Sequence, residues 1–333
     1  MRESVSIKEV AKMAGVSTAT VSNVYSGKKP VNDDLVKRVC DAGNKLGYKV
    51  NRIASQLRSG KNNIVGVLVP DLSDPFFTSI ITKLEELAQL SGYEIIVANS
   101  NDNEKTEQGR LDALLSWQPA GLVIIPCTDV IPSQLLGKGY VPPFVVADRV
   151  SDQNVSDTVV IDNREAGAIA ASHLIDLGHR NLLLAASDLN IFPIRERCAG
   201  AQDSVARFGA TSDIVELGSK PFRGADILSN WLDSDDRPTA IIATNGMTTL
   251  AILACLAKRK VDIPNQISVV GFDDYLWMSA RKTSLTAVSQ PTSDIANSVW
   301  ECLKARMAGE KFARKKIVLS CTLAIRDSTC PLV

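Results

Sequence analysis

From Asn63 onward the chain alternates short β-branched runs with longer segments of helical periodicity. The runs fall at residues 64–69, 94–98, 122–126, 144–147, 182–187, 240–244 and 268–272. Such alternation predicts parallel sheets covered by helices, arranged as doubly wound lobes. A length of 333 residues with 45% apolar side chains can bury real cores in two or three domains. No apolar run approaches the roughly 18 residues of a membrane span, and the polar N-terminus lacks the apolar core of a signal peptide, so a cytoplasmic protein with no membrane partner is expected. The seven cysteines are scattered without a C-x-x-C pair, which argues against a disulfide framework or a zinc knuckle.

None of the predicted strands runs into G-x-G-x-x-G, G-x-x-x-x-G-K-S/T or G-x-S-x-G, so nucleotide binding and serine hydrolysis lack their local signatures. His173 and His179 flank a helix end rather than forming a metal or catalytic set. The expectation is a binding protein that is not an enzyme and carries no cofactor.

Charge divides the chain. Residues 1–60 hold eleven Lys and Arg against five Asp and Glu, a net +6, while the remainder carries −6. A basic head on an acidic body suggests a polyanion partner for the head, although a solvated charged surface has the same composition. Within the head, Ser6-Ile7-Lys8-Glu9 is a capping box, and Ile7, Val10, Ala11 and Ala14 keep helical spacing up to Gly15. Ser17 caps a second run that turns Val21 and Val24 inward and leaves Thr18, Ala19, Ser22 and Asn23 outside. A third helix starts at Asn32, places Leu35, Val39, Ala42 and Leu46 inward, and stops at Gly47. Three short helices with a glycine turn between the first two make a helix-turn-helix.

The segments SIKEVAKMAGVSTATVSNV and GYKVNRIASQLRSG resemble the DNA-binding head of the LacI/GalR transcription regulators. Mapped residue by residue, the resemblance makes Thr18, Ala19 and Asn23 base-reading positions and places Ser17, Thr20, Ser22 and Tyr48 at the sugar-phosphate backbone. It implies a hinge helix over 51–58, with Asn51 and Ala54 at the DNA and Leu57 as a minor-groove wedge. Two departures stand out. Asn23 occupies a site where many relatives carry a longer basic or aromatic side chain, and Val50 replaces the usual proline before the hinge.

The body resembles the same family throughout, through PDLSDPFF (70–77), VIDNREAGAIAASHLIDLGHR (160–180), IRERCAG (194–200), ATNG (243–246), GFDD (271–274), SLTAVSQP (284–291) and LAIRDS (323–328). The implied architecture is a small all-α helix-turn-helix head with a hinge helix, joined to an α/β periplasmic-binding-protein-like core of two doubly wound parallel-sheet lobes. The implied boundaries are 1–49 for the head, 50–62 for the hinge and linker, and 63–333 for an effector-binding and dimerisation domain. Within the last, lobe 1 is expected at about 63–161 and 292–325, and lobe 2 at about 162–291.

In such folds ligands bind beyond the carboxyl ends of the strands, which here carry Asp71, Asp148, Asn245 and Asp273. The family pattern makes Asp273, Arg197 and Asn245 a polar clamp, Asp148 a further acceptor and Phe76 and Phe77 an apolar wall, a set suited to a polyol. Strand-end Asp and Asn also serve as helix caps, and Phe76-Phe77 after Pro75 also suits the opening of a core helix. IRERCAG, ATNG and GFDDYLW, which brings in Trp277, are similar to a subgroup answering to sugar acids such as gluconates, and the usual N-D is here Asn245-Gly246. Arg195 and Lys220 would supply cations for a carboxylate, or else face solvent. The resemblance therefore implies a homodimeric repressor that binds a pseudo-palindromic operator under the control of a small effector, most simply a sugar acid. A neutral sugar or nucleobase is the alternative effector, and a sugar-modifying enzyme with a regulatory head is the rival class.

Overall fold

The computed structural model describes residues 5–26, 29–48, 62–137, 139, 141–150, 155–233 and 237–332. The chain divides into two compact units, Met1–Asn62 and Asn63–Val333.

The first unit contains helices Ile7–Ala14, Thr18–Ser26 and Asp33–Leu46. Ser6 and Glu9 close the capping box, with the Ser6 backbone N–H 2.7 Å from Glu9 Oε2, and Gly15 ends the first helix in the left-handed region at φ 64°. Val10, Ala11, Ala14, Val21, Val39 and Ala42 form the buried core, with Leu46 and Tyr48 packed on its margin. Leu35, expected inside, is half-buried.

The second unit is built on two six-stranded sheets. The first comprises β1 (Ile64–Val69), β2 (Glu94–Asn99), β3 (Gly121–Ile124), β4 (Phe144–Ala147), β5 (Asp157–Ile161) and β11 (Lys316–Leu319), in the order β11-β5-β4-β3-β1-β2. The second comprises β6 (Asn181–Ala186), β7 (Thr211–Glu216), β8 (Ala240–Ala243), β9 (Ser268–Phe272), β10 (Thr286–Ser289) and β12 (Thr322–Ala324), in the order β12-β10-β9-β8-β6-β7. Among the described residues every ladder is parallel except that of β12 with β10. Central strands such as β3, β8 and β9 are buried along their whole length, which is why their sequences read as unbroken apolar runs.

The chain passes between the lobes three times. After β5 it enters helix Asn163–Asp176, which packs on helix Phe192–Arg207; after β10 it returns in helix Thr292–Met307 against helix Pro75–Leu90; after β11 it crosses again. This last passage corrects the expected lobe boundary at residue 325. Only β11 of the closing segment joins the first sheet, because Leu323 and Ala324 pair with Val288 and Ala287 of the second. The tail stays there, with Arg326 gripping Asp274 (2.7 and 3.1 Å) and the Ser328 hydroxyl donating to the Val269 carbonyl (2.6 Å).

Candidate functional site

The loops beyond the carboxyl ends of both sheets meet around one pocket of about 370 Å³, counting its open mouth. Asp74, Phe76, Phe77, Asp148 and Arg149 line it from the first lobe, and Ser187, Ile191, Pro193, Ile194, Arg197, Asn245, Asp273 and Gln290 from the second. Asp148 and Asp273 lie in the left-handed region at φ 60° and 78°. Aspartate tolerates that region better than most residues, so each strand can end in a sharp turn that aims a carboxylate into the cleft.

Arg197 is the central cation. It is 5% exposed, and its guanidinium sits 4.1 Å over the Phe272 ring. It donates to Asn163 Oδ1 (2.9 Å), the Thr244 carbonyl (2.7 Å) and Gln290 Oε1 (3.4 Å). Asp273 accepts from the Gly246 backbone N–H (2.7 Å) and from Gln290 Nε2 (2.5 Å), while Asn245 caps helix Gly246–Lys258 and donates to Ser187 Oγ (3.1 Å). Asn245 is thus both a cap and part of the wall. Asp74 caps helix Pro75–Leu90 through the Phe76 N–H (2.9 Å). Phe76 and Phe77 are buried edge to face, 5.1 Å between centroids, with Arg149 over Phe77 and paired to Asp102.

Burial raises the Asp148 carboxyl above the ordinary carboxylate range, partly opposed by Arg197 and Arg149. Burial and the charge of Asp74 push Asp273 up to about 6, against the pull of Arg197. The pocket therefore offers acceptors that can also carry a proton, a planar donor with unused N–H groups, two amides and an aromatic wall. That is the chemistry that holds a compact hydroxyl-rich molecule.

Six of the ten residues predicted for the effector meet here: Phe76, Phe77, Asp148, Arg197, Asn245 and Asp273. The other four line it nowhere. Asp71 turns back on its own loop to take the Ser73 N–H (2.8 Å). Arg195, 46% exposed at its side chain, pairs with Asp129 (3.2 Å) across the cleft. Lys220 is exposed at the start of helix Pro221–Trp231, and Trp277 packs with Leu253, Met278 and Leu285. Sequence reasoning missed Asp74, Arg149, Ser187, Gln290 and the Asn163 that orients Arg197. Asp74 carried a local signal, since an Asp before a Pro at the first helical position marks a cap, and Asn163 and Gln290 fall within the motifs at 160–180 and 284–291.

In the first unit, Ser17, Thr18 and Ala19 are exposed, and Thr20, Ser22, Asn23 and Tyr48 are half-buried. Ser17 Oγ accepts the Thr20 N–H (3.1 Å), and the Tyr48 ring lies 5.5 Å from that of Tyr25. Asn51, Ala54, Leu57 and the rest of the expected hinge lie outside the described residues.

Two family profiles match the chain: "Bacterial regulatory proteins, lacI family" over residues 6–51, and "Periplasmic binding proteins and sugar binding domain of LacI family" over 62–299. The chain belongs to the LacI family. This LacI-family protein is 31% identical over 333 residues to the HTH-type transcriptional regulator PtxS of Pseudomonas putida, covering 99% of this chain and 97% of that one. It is 30% identical to catabolite control protein A of Priestia megaterium, covering 98% and 99%. A solved structure of the lac repressor dimer bound to operator and the anti-inducer ONPF shares the fold at a TM-score of 0.86 and 24% identity, covering 98% of this chain and 100% of that one. The chain is accordingly a DNA-binding transcription regulator with a helix-turn-helix head and a sugar-binding-type domain. Among the described residues no helix is long and apolar enough to cross a membrane.

Proposed function

We propose that this regulator is a cytoplasmic, homodimeric repressor without enzymatic activity, whose affinity for a pseudo-palindromic operator is set by a small carbohydrate-type effector held between the two lobes. The observation that carries this reading is the pocket itself, acceptor-rich and aromatic-walled, with side chains from both lobes on its surface. A ligand that touches both lobes binds one lobe arrangement better than others, and that differential affinity is what shifts the operator-competent population. Thr18, Ala19 and Asn23 read bases, and Ser17, Thr20, Ser22 and Tyr48 hold the backbone.

The effector is a sugar acid, with Arg197 as its carboxylate partner. The resemblance to the sugar-acid subgroup supports this, and so does the arginine's geometry. Three acceptors take three of its five N–H groups and leave two for a ligand. Asp74, Asp148 and Asp273 oppose an anion while ionised, but the raised pKa of Asp148 and Asp273 lets a carboxyl donate a proton to the ligand instead. Calorimetric titration of gluconate against glucose, followed by operator gel shifts with each, tests the reading. Glucose binding as tightly as gluconate removes the carboxylate contact. Failure of every sugar and sugar acid to alter operator affinity removes the carbohydrate effector altogether.

A further inference from the structure

Among the described residues, hydrogen bonds at two places tie the first lobe to the second. Asp129, in the loop after β3, accepts from the Phe192 backbone N–H (2.8 Å) and from Arg195 (3.2 Å). The other tie is Tyr275, whose hydroxyl donates to Asp74 Oδ1 at 2.5 Å and lies 3.2 Å from Asp273 Oδ2. Asp74 belongs to the first lobe; Tyr275 and Asp273 follow β9 in the second. The phenol is half-buried and seated directly on Gly246, where an added Cβ would stand 2.3 Å from ring atom Cε2. Only glycine leaves room for this ring. Gly246 also gives its backbone N–H to Asp273, so Gly246, Tyr275 and Asp273 interlock and reach across to Asp74 together.

A phenol has one proton to donate, and the shorter contact assigns it to Asp74. Asp273 completes the chain when it carries its own proton, which its burial and the Asp74 charge favour. Tyr275 is not part of the pocket surface; Asp74 and Asp273 are, and it stands behind them.

We propose that Tyr275 is a positioning residue of the effector site: its hydroxyl straps the lobes together in the free protein and holds Asp74 and Asp273 at the spacing an entering ligand meets. The role as a ligand site rests on the function proposed above, but the strap is measurable without any ligand. Phe192 opens its helix, so its N–H has no partner within that helix, and the acceptor it finds is the Asp129 carboxylate of the other lobe. Hydrogen exchange at the Phe192 amide therefore reports separation of the lobes through segments that do not include Tyr275.

In the ligand-free full-length protein, Tyr275→Phe keeps the ring on Gly246 and removes the hydroxyl. It should speed Phe192 exchange about tenfold, the effect of losing one hydrogen bond to a charged acceptor, while exchange at Leu184 in β6 stays unchanged. Gly246→Ala, which pushes the ring away, should give the same increase, and in a Tyr275→Ala background it should add nothing. Unchanged Phe192 exchange in Tyr275→Phe overturns the strap, whatever sugars bind. Faster exchange upholds it even if gluconate and glucose both fail to bind, a failure that would count against the proposed effector alone.

Discussion

Gly167→Ala places one methyl group where helices Asn163–Asp176 and Phe192–Arg207 cross. The added Cβ would stand 1.9 Å from the Arg197 carbonyl oxygen and 2.7 Å from its carbonyl carbon, where ordinary contact begins at 3.4 Å. Backbone must therefore move by roughly 1.5 Å, the gap between 1.9 and 3.4 Å. The neighbours leave no slack, since Ala166, Ala170 and Ala171 on one helix and Cys198 and Ala201 on the other are all buried. Such overpacking costs about 1–3 kcal/mol. Separating the helices also stretches the 2.9 Å bond between Arg197 Nε and Asn163 Oδ1. A hydrogen bond to a charged group is worth about 1.5–3 kcal/mol, and alanine's better helix propensity returns about 1. The net expectation is a loss of about 2–5 kcal/mol, together with a weakened effector response because Arg197 is displaced from the pocket. Urea unfolding followed by tryptophan fluorescence measures the first, with Gly109→Ala as control, because a Cβ at that helical glycine meets nothing within 4 Å. If Gly167→Ala unfolds at the same urea concentration as Gly109→Ala, the crossing does not set the position of Arg197 and the reasoning is wrong.

Replacing Asn23 by alanine should change base preference at one position per half-site by about 1–3 kcal/mol, read from binding to systematically varied operators; equal weakening on every sequence would show that Asn23 does not read a base. The Asp273 carboxyl is pushed from the ordinary 3.8 to about 6, so its contribution to stability is fully present below about pH 4 and is lost as pH rises through about 6. Asp273→Asn lacks that loss, so its melting temperature relative to wild type should climb between pH 4 and pH 7, and a difference that stays flat across the range contradicts the burial argument.

The parts of the fold legible in the sequence are those where one local pattern decides the outcome. Strands buried on both faces, such as IVGVLV in β1 or SVVGF in β9, read as continuous apolar runs, and the capping box and terminal glycines mark the head's helices. Among the edge strands, β2 (EIIVAN) still carries such a run, but β7, β11 and β12 are less legible. TSDIVE in β7 interleaves polar residues, and β11 and β12 are four and three residues long, separated by two residues on which the crossing to the other sheet turns. Nothing local tells Ser320-Cys321 from any other short loop, because the pairing partner of β12 lies more than thirty positions earlier in β10. The lobe boundary was set by that distant ladder.

The pocket divides along the same line, and the two arginines of IRERCAG show why. On an α-helix successive residues are turned by about 100°, so positions two apart point about 200° from each other. Arg195 and Arg197 share helix Phe192–Arg207, and if one faces the cleft floor the other cannot. Burial decided which: Arg197 has Asn163, the Thr244 carbonyl and Gln290 waiting for its donors, whereas Arg195 finds the Leu189 carbonyl and Asp129 near the surface. Reading both as effector contacts took closeness along the chain for closeness in space. The cation that geometry removed from the pocket reappears as a tie between the lobes, so a side chain expected to hold the ligand is placed to act on closure instead.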